Sequence, residues 1–116
     1  MHEFSIVSSL IELIERHAAD NNAVRVLRVE VEVGDFSGVE PELFAGVFQT
    51  FSSCGGLIGG ARLVMDIVPT KIKCRVCGEK SPVTDAAFYC IACGSADVDV
   101  VEGNDIVLRS LEMESD

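Results

Sequence analysis

The chain lacks any run of about 18 consecutive apolar residues, so no segment reads as a membrane-spanning helix. It also lacks a basic region behind its first residue. Met1-His2-Glu3-Phe4 reads as neither a secretory signal nor a transit peptide. The expected compartment is the cytoplasm, where thiols stay reduced. Positive charge is scarce: nine Lys and Arg face nineteen Asp and Glu, for a net charge of -10. The segment from Pro69 to Gly103 stands at -1 and the remainder at -9. No basic stripe is present to displace counterions from phosphate, so nucleic acid is not an expected partner. Acidity of this kind suits a solvated surface, a cation carrier or a basic partner.

Catalytic signatures are missing as well. There is neither a G-x-x-x-x-G-K-[ST] nor a G-x-G-x-x-G segment, and no H-E-x-x-H. The histidines are His2 and His17, and His17 reads as an ordinary surface residue of a helix. Glu30 and Glu32 share a strand face, where alternating charge is the usual pattern of a solvated side. An enzyme is therefore not expected. No internal repeat or low-complexity segment appears. At 116 residues the chain is one compact domain, or a small domain with a metal-held satellite.

What is present is a cysteine quartet. Cys74-Arg-Val-Cys77 is followed after twelve residues by Cys90-Ile-Ala-Cys93, and each pair by a glycine, Gly78 or Gly94. Two thiolates at this spacing can reach one ion, and the glycine lets backbone N–H groups turn toward sulfur. Two such knuckles give a closed set of four thiolates, the usual geometry of structural zinc. A closed set leaves no position for water or substrate, so the expected role is a staple. The module around it has few apolar residues of its own, and a metal can supply on the order of 10 kcal/mol of folding free energy there. An iron centre of the rubredoxin type uses similar knuckles. The fifth cysteine, Cys54, precedes Gly55-Gly56 and reads as a small buried or half-buried thiol.

The remaining pattern is α+β. Residues 4–19 read as an amphipathic helix through Phe4, Val7, Leu10, Ile11, Ile14 and Ala18, stopped by Asp20-Asn21-Asn22. Residues 24–33 read as a strand, with Leu27, Val29, Val31 and Val33 alternating with charge. Val24 and Val26 lie in the opposite phase, which suggests a bulge or a second buried contact. Pro41 opens a second helix with Leu43, Phe44, Val47, Phe48 and Phe51 on its apolar face. Strands follow at 61–68, with Ala61, Leu63, Met65 and Ile67 on one side, and at about 105–113, on either side of the cysteine module. The expected fold is two helices packed on a three-stranded antiparallel-type sheet, with an inserted four-cysteine zinc-ribbon module. The expected division is 1–70 with 104–116 as one domain, and 71–103 as the zinc-binding domain.

The start of the chain offers a second set of donors. The α-amine of Met1, the amide and imidazole of His2, and the amide and carboxylate of Glu3 can face one cation. Nitrogen-rich sets of this kind suit Ni(II) or Cu(II). With both features in view, the chain resembles the HypA/HybF family of hydrogenase nickel-incorporation proteins. The resemblance rests on Met1-His2-Glu3 before an amphipathic helix, the strand ending in Gly34, Val39-Glu40-Pro41 and the four cysteines. The ending, Gly103-Asn104-Asp105 through Ser110-Leu111-Glu112-Met113, is also similar. It covers essentially the whole chain. It implies a metallochaperone that loads nickel into the large subunit of [NiFe] hydrogenase with a nickel-handling GTPase, and in some bacteria also serves urease accessory proteins. Carried over by position, His2 is the essential nickel ligand, with Met1 and Glu3 beside it. Glu40 stands where some members place an aspartate that touches the nickel. The rival reading is a zinc-ribbon protein–protein adaptor without a transferable metal.

Overall fold

The computed structural model describes residues 3–83 and 87–115. Helix α1 spans Glu3–Asp20 and buries Val7, Leu10, Ile14 and Ala18, a stripe at three- and four-residue steps. It stops where Asn22 adopts a left-handed φ of 53° and Asn21 turns back, its side-chain amide donating to the His17 carbonyl at 2.8 Å. Strand β1, Ala23–Gly34, is the centre of the first sheet. Val26, Val29, Val31 and Val33 are its buried side chains. Its pairing register shifts between Val26 and Arg28, so the expected bulge exists. That extra residue brings Val26 onto the core face despite its opposite phase.

Helix α2, Pro41–Ser53, starts with proline and is capped by Glu40, whose carboxylate accepts from the Glu42 amide at 3.4 Å. Phe44, Phe48 and Ser52 form its buried row. Leu43, expected on that face, is 57 % exposed because it lies about 100° around the helix from Phe44. Strand β2, Arg62–Val68, lies along β1 on one side, and β6, Ile106–Ser115, on the other. The two-helix, three-strand architecture with its inserted cysteine segment is as expected. Within it β1 and β6 are antiparallel, whereas β1 and β2 run parallel. The connection between β1 and β2 passes through α2, and such a crossover returns the chain in the same direction. Ile67, expected on the same side as Leu63 and Met65, is 47 % exposed on this outer strand. The core lies between helices and sheet, with Phe44 and Phe48 against the β1 valines and Ile58.

A second sheet, all antiparallel, holds the cysteines. Its order is β4 (Lys80–Pro82), β3 (Lys71–Cys74), β5 (Val98–Glu102). Its buried residues are few: Ile72, Cys74, Ser81 and Cys90. Outside them run ion pairs, Arg75 with Asp97 and Asp99, and Lys80 with Glu102 at 2.9 Å. The two connections between the sheets squeeze past the end of β1. A Cβ on Gly34 would lie 2.2 Å from the Gly103 carbonyl oxygen, and one on Gly103 would lie 2.6 Å from that of Pro69. Gly103 also needs its φ of 82°. The crossing is stitched by Gly34 N–H to Asp105 O, Asp35 N–H to Val68 O and Phe36 N–H to Gly103 O, at 2.7–2.8 Å. The result is elongated, with a radius of gyration of 17.5 Å and extents of 56 × 26 × 18 Å. A compact chain of this length would have a radius near about 13 Å.

Candidate metal centres

The first knuckle begins as β3 ends. Cys74 N–H donates to Glu79 O and Gly78 N–H returns to Cys74 O, at 2.9 and 3.0 Å. This tight turn requires the left-handed φ of 78° at Gly78. It aims the amides of Val76 and Cys77 at the Cys74 sulfur, 3.3 and 3.4 Å away. The second knuckle repeats the pattern. Cys90 N–H donates to Ser95 O, Gly94 N–H to Cys90 O, and Gly94 has the same φ. Cys74 and Cys90 are buried, and Cys77 and Cys93 are exposed.

The four sulfurs converge. Cys74 and Cys93 Sγ are 3.6 Å apart, Cys77 and Cys90 Sγ are 3.5 Å apart, and all four ligand atoms lie within 4.8 Å of one another. None of these sulfurs is joined in a disulfide, since bonded sulfurs sit at about 2.05 Å. A tetrahedron of four thiolates at about 2.3 Å from zinc has an S···S edge of roughly 3.8 Å. The observed spacing therefore fits one such ion at its centre.

The protons of this cluster point the same way. The Cys93 amide, followed by that of Ala92, brings the Cys90 thiol down to about 7. The Cys77 amide, followed by that of Val76, lowers Cys74 in the same manner. At Cys77 the Glu79 amide lowers the value, but Cys90, partial desolvation of the sulfur and the other thiols outweigh it and push the group up to about 12. Cys93 is raised by its neighbours Cys74 and Cys90 and by burial, against the Ser95 amide. The knuckles thus prepare one thiolate each, and a second in either place meets like charge. A divalent cation removes that conflict.

The second expected set lies where the two helices begin. Glu3, the first residue of α1, is only 5 % exposed, and its Oε2 accepts from the Glu40 amide at 3.1 Å. Glu40 is the N-cap of α2, so this bond ties one helix start to the other. Two positive helix ends therefore meet at one place, each favouring a carboxylate and opposing a bare cation by about 0.3–1 kcal/mol. Glu40 is exposed, and one of its carboxylate oxygens is used by the cap. Met1 and His2 lie outside the described residues.

A protein-family profile described as "Hydrogenase/urease nickel incorporation, metallochaperone, hypA" matches residues 1–113. The chain belongs to the HypA family. It is 46 % identical over 116 residues to the hydrogenase maturation factor HypA of Aquifex aeolicus, covering all of both chains. It is 45 % identical to that of Shewanella halifaxensis, covering 98 % of each. Its fold resembles the solution structure of the Ni metallochaperone HypA from Helicobacter pylori, with a TM-score of 0.78 and 35 % identity over the whole of both chains. The HypA family is one of maturation factors for hydrogenase, named as metallochaperones and not as enzymes. No helix of the described residues is long and apolar enough to cross a membrane.

Measured against the HypA resemblance, the structure gathers Cys74, Cys77, Cys90 and Cys93 at one point, and Glu3 with Glu40 at another. Two features escaped the sequence reading. The Glu3–Glu40 bond joins residues 37 apart, and nothing local signals it. The aromatic contact of Phe36 with Phe88, ring centroids 5.2 Å apart, bridges the loop after β1 and the cysteine segment.

Proposed function

We propose that this chain is a nickel metallochaperone of hydrogenase maturation, carrying exchangeable Ni(II) at its amino terminus and a resident zinc in the four-cysteine centre. Nickel is the cargo. Its ligands are the Met1 amine, the His2 amide and imidazole, and the Glu3 amide and carboxylate. Zinc is held by Cys74, Cys77, Cys90 and Cys93, which would supply folding energy and no open coordination position. Residues 1–70 with 104–116 form the nickel-binding unit and residues 71–103 the zinc-binding unit. The expected partners are a nickel-handling GTPase and the hydrogenase large subunit in the cytoplasm, with urease accessory proteins as further recipients.

The observation that carries the reading is the buried Glu3 carboxylate beside the start of α2. It supplies negative charge next to His2, at a spot where two helix ends would otherwise repel a cation. Partial opposition of this kind suits cargo that must leave. A micromolar site corresponds to about 8 kcal/mol, well below what a closed thiolate zinc site can supply. Glu40 would join the nickel only through the oxygen its cap leaves free, or by giving up the cap.

Titration calorimetry with nickel tests the reading on untagged protein. His2→Ala should abolish nickel binding while the zinc content and the thermal transition stay as in the parent. Unchanged nickel affinity in that variant would refute the ligand assignment. One tightly held zinc and no nickel uptake by the parent would favour the adaptor reading.

A further inference from the structure

The seam between α1 and β6 is open. Among the described residues β6 is an outer strand paired with β1 alone, so its other edge presents backbone N–H and C=O groups to solvent. Three depressions follow one another along this seam. The first, by the start of α1, lies between Ile6, Ser37 and Ile106. The second, 320 Å³, is bounded by Ser9, Leu13, Ile106 and Leu108. The third, 310 Å³, lies between His17, Leu108 and Met113. Ile106 and Leu108 are each shared by two neighbours, so the three form one groove along β6. Along the first two depressions the floor is apolar, with Ile6, Leu13, Ile106 and Leu108 half-covered beside α1, while the third is lined also by His17, Asn21, Arg109 and Ser110.

The bordering elements are acidic. Glu12, Glu15 and Asp20 on α1, and Asp105, Glu112 and Glu114 at β6, are all exposed. Arg16 and Arg109 are the arginines there, and Arg109 already bonds Glu32 at 3.1 Å and Asp66 at 3.6 Å across the sheet.

We propose that the α1–β6 groove is a docking site for an extended, basic segment of a partner protein that adds to β6 as a further strand. Main-chain hydrogen bonds to the free edge would hold it. Alternate apolar side chains would fill the groove, and the lysines or arginines between them would point to the other face of the sheet, toward Glu112 and Glu114. A second copy of this chain is the poorer occupant. Each copy carries -10, so like charge opposes the pairing of two copies.

A labelled peptide of alternating valine and lysine, matched to the ten residues of β6, tests this by fluorescence anisotropy and amide protection on the full chain. It should bind and slow exchange of the β6 amides. Ser9→Trp, an exposed position that fills the groove, should weaken binding by about tenfold or more, as should Glu112→Lys with Glu114→Lys. Both variants should keep the parent's protection in β1. An alternating valine–glutamate peptide should not bind, nor should the valine–lysine peptide with alternate amides methylated. The proposal is overturned if the valine–lysine peptide fails to bind at millimolar concentration, or binds both variants as it binds the parent. Equal binding by a block peptide of the same composition would overturn it too. So would a dimer of the parent protein that Ser9→Trp dissociates, which would assign the groove to a second copy.

Discussion

Gly34→Ala is the sharpest perturbation of this fold. The added carbon would sit 2.2 Å from the Gly103 oxygen, 2.3 Å from its carbonyl carbon and 2.8 Å from the Asn104 nitrogen. All three are backbone atoms, so no side chain can swing away and the connection between β5 and β6 must retreat. Its retreat strains the bonds from Gly34 to Asp105 and from Phe36 to Gly103. Two buried backbone bonds are worth about 1 kcal/mol each, and overpacking typically costs about 1–3 kcal/mol. The expected loss is therefore about 3–5 kcal/mol, a large part of the roughly 5–15 kcal/mol that holds a domain. In a scanning calorimeter this is a fall in Tm on the order of 10–20 °C. Metal content should be unchanged, since the knuckles are built from local bonds. A fall of less than about 3 °C would refute the close approach on which the argument depends.

Gly46→Ala, inside α2 with open space around its added carbon, should instead stabilise by about 0.5–1 kcal/mol, and a fall in Tm would contradict it. Stripping the metal with a chelator under reducing conditions should erase hydrogen-exchange protection in β3–β5 and leave β1 protected, because Ile72, Cys74, Ser81 and Cys90 are the few buried side chains among the described residues of that segment. Protection that survives metal removal would show that the staple is unnecessary. Lowering the pH should release the same metal with proton uptake, since each ligand must be a thiolate and Cys77 sits as high as about 12 without a cation. Metal retention at pH 3 would argue against a four-thiolate site. Phe36→Ala should cost about 1 kcal/mol or less, the side chain being half exposed, and should let the two sheets tumble more independently in nitrogen-15 relaxation. Identical relaxation would show that the aromatic contact does not couple them.

The first sheet was legible because its elements carry strong periodicity. The stripe of α1, the alternation of β1 and the proline before Glu42 each specify one conformation locally. The bulge could be read from the clash of phase between Val26 and Val29. The parallel pairing of β2 was not written in its own residues but follows from α2 lying between it and β1. The second sheet was harder. β4 is three residues long, too short for any period, and its partner Ile72 is a single buried position. β5 did carry a signal in Asp97-Val98-Asp99-Val100, which alternates. The cysteine centre was read almost whole from spacing, because two knuckles constrain geometry within four residues each. The tie between Glu3 and Glu40 depends on how α1 and α2 pack, and no local pattern could show it.

The crossing at Gly34, Pro69 and Gly103 has a mechanical consequence. The cysteine sheet hangs from the rest of the molecule by two strands placed side by side, not by one. Two adjacent tethers allow swinging about the line that joins them and resist twisting about the long axis. Any relative movement of the two ends should therefore resemble a door and not a ball joint, with Phe36 against Phe88 as its stop.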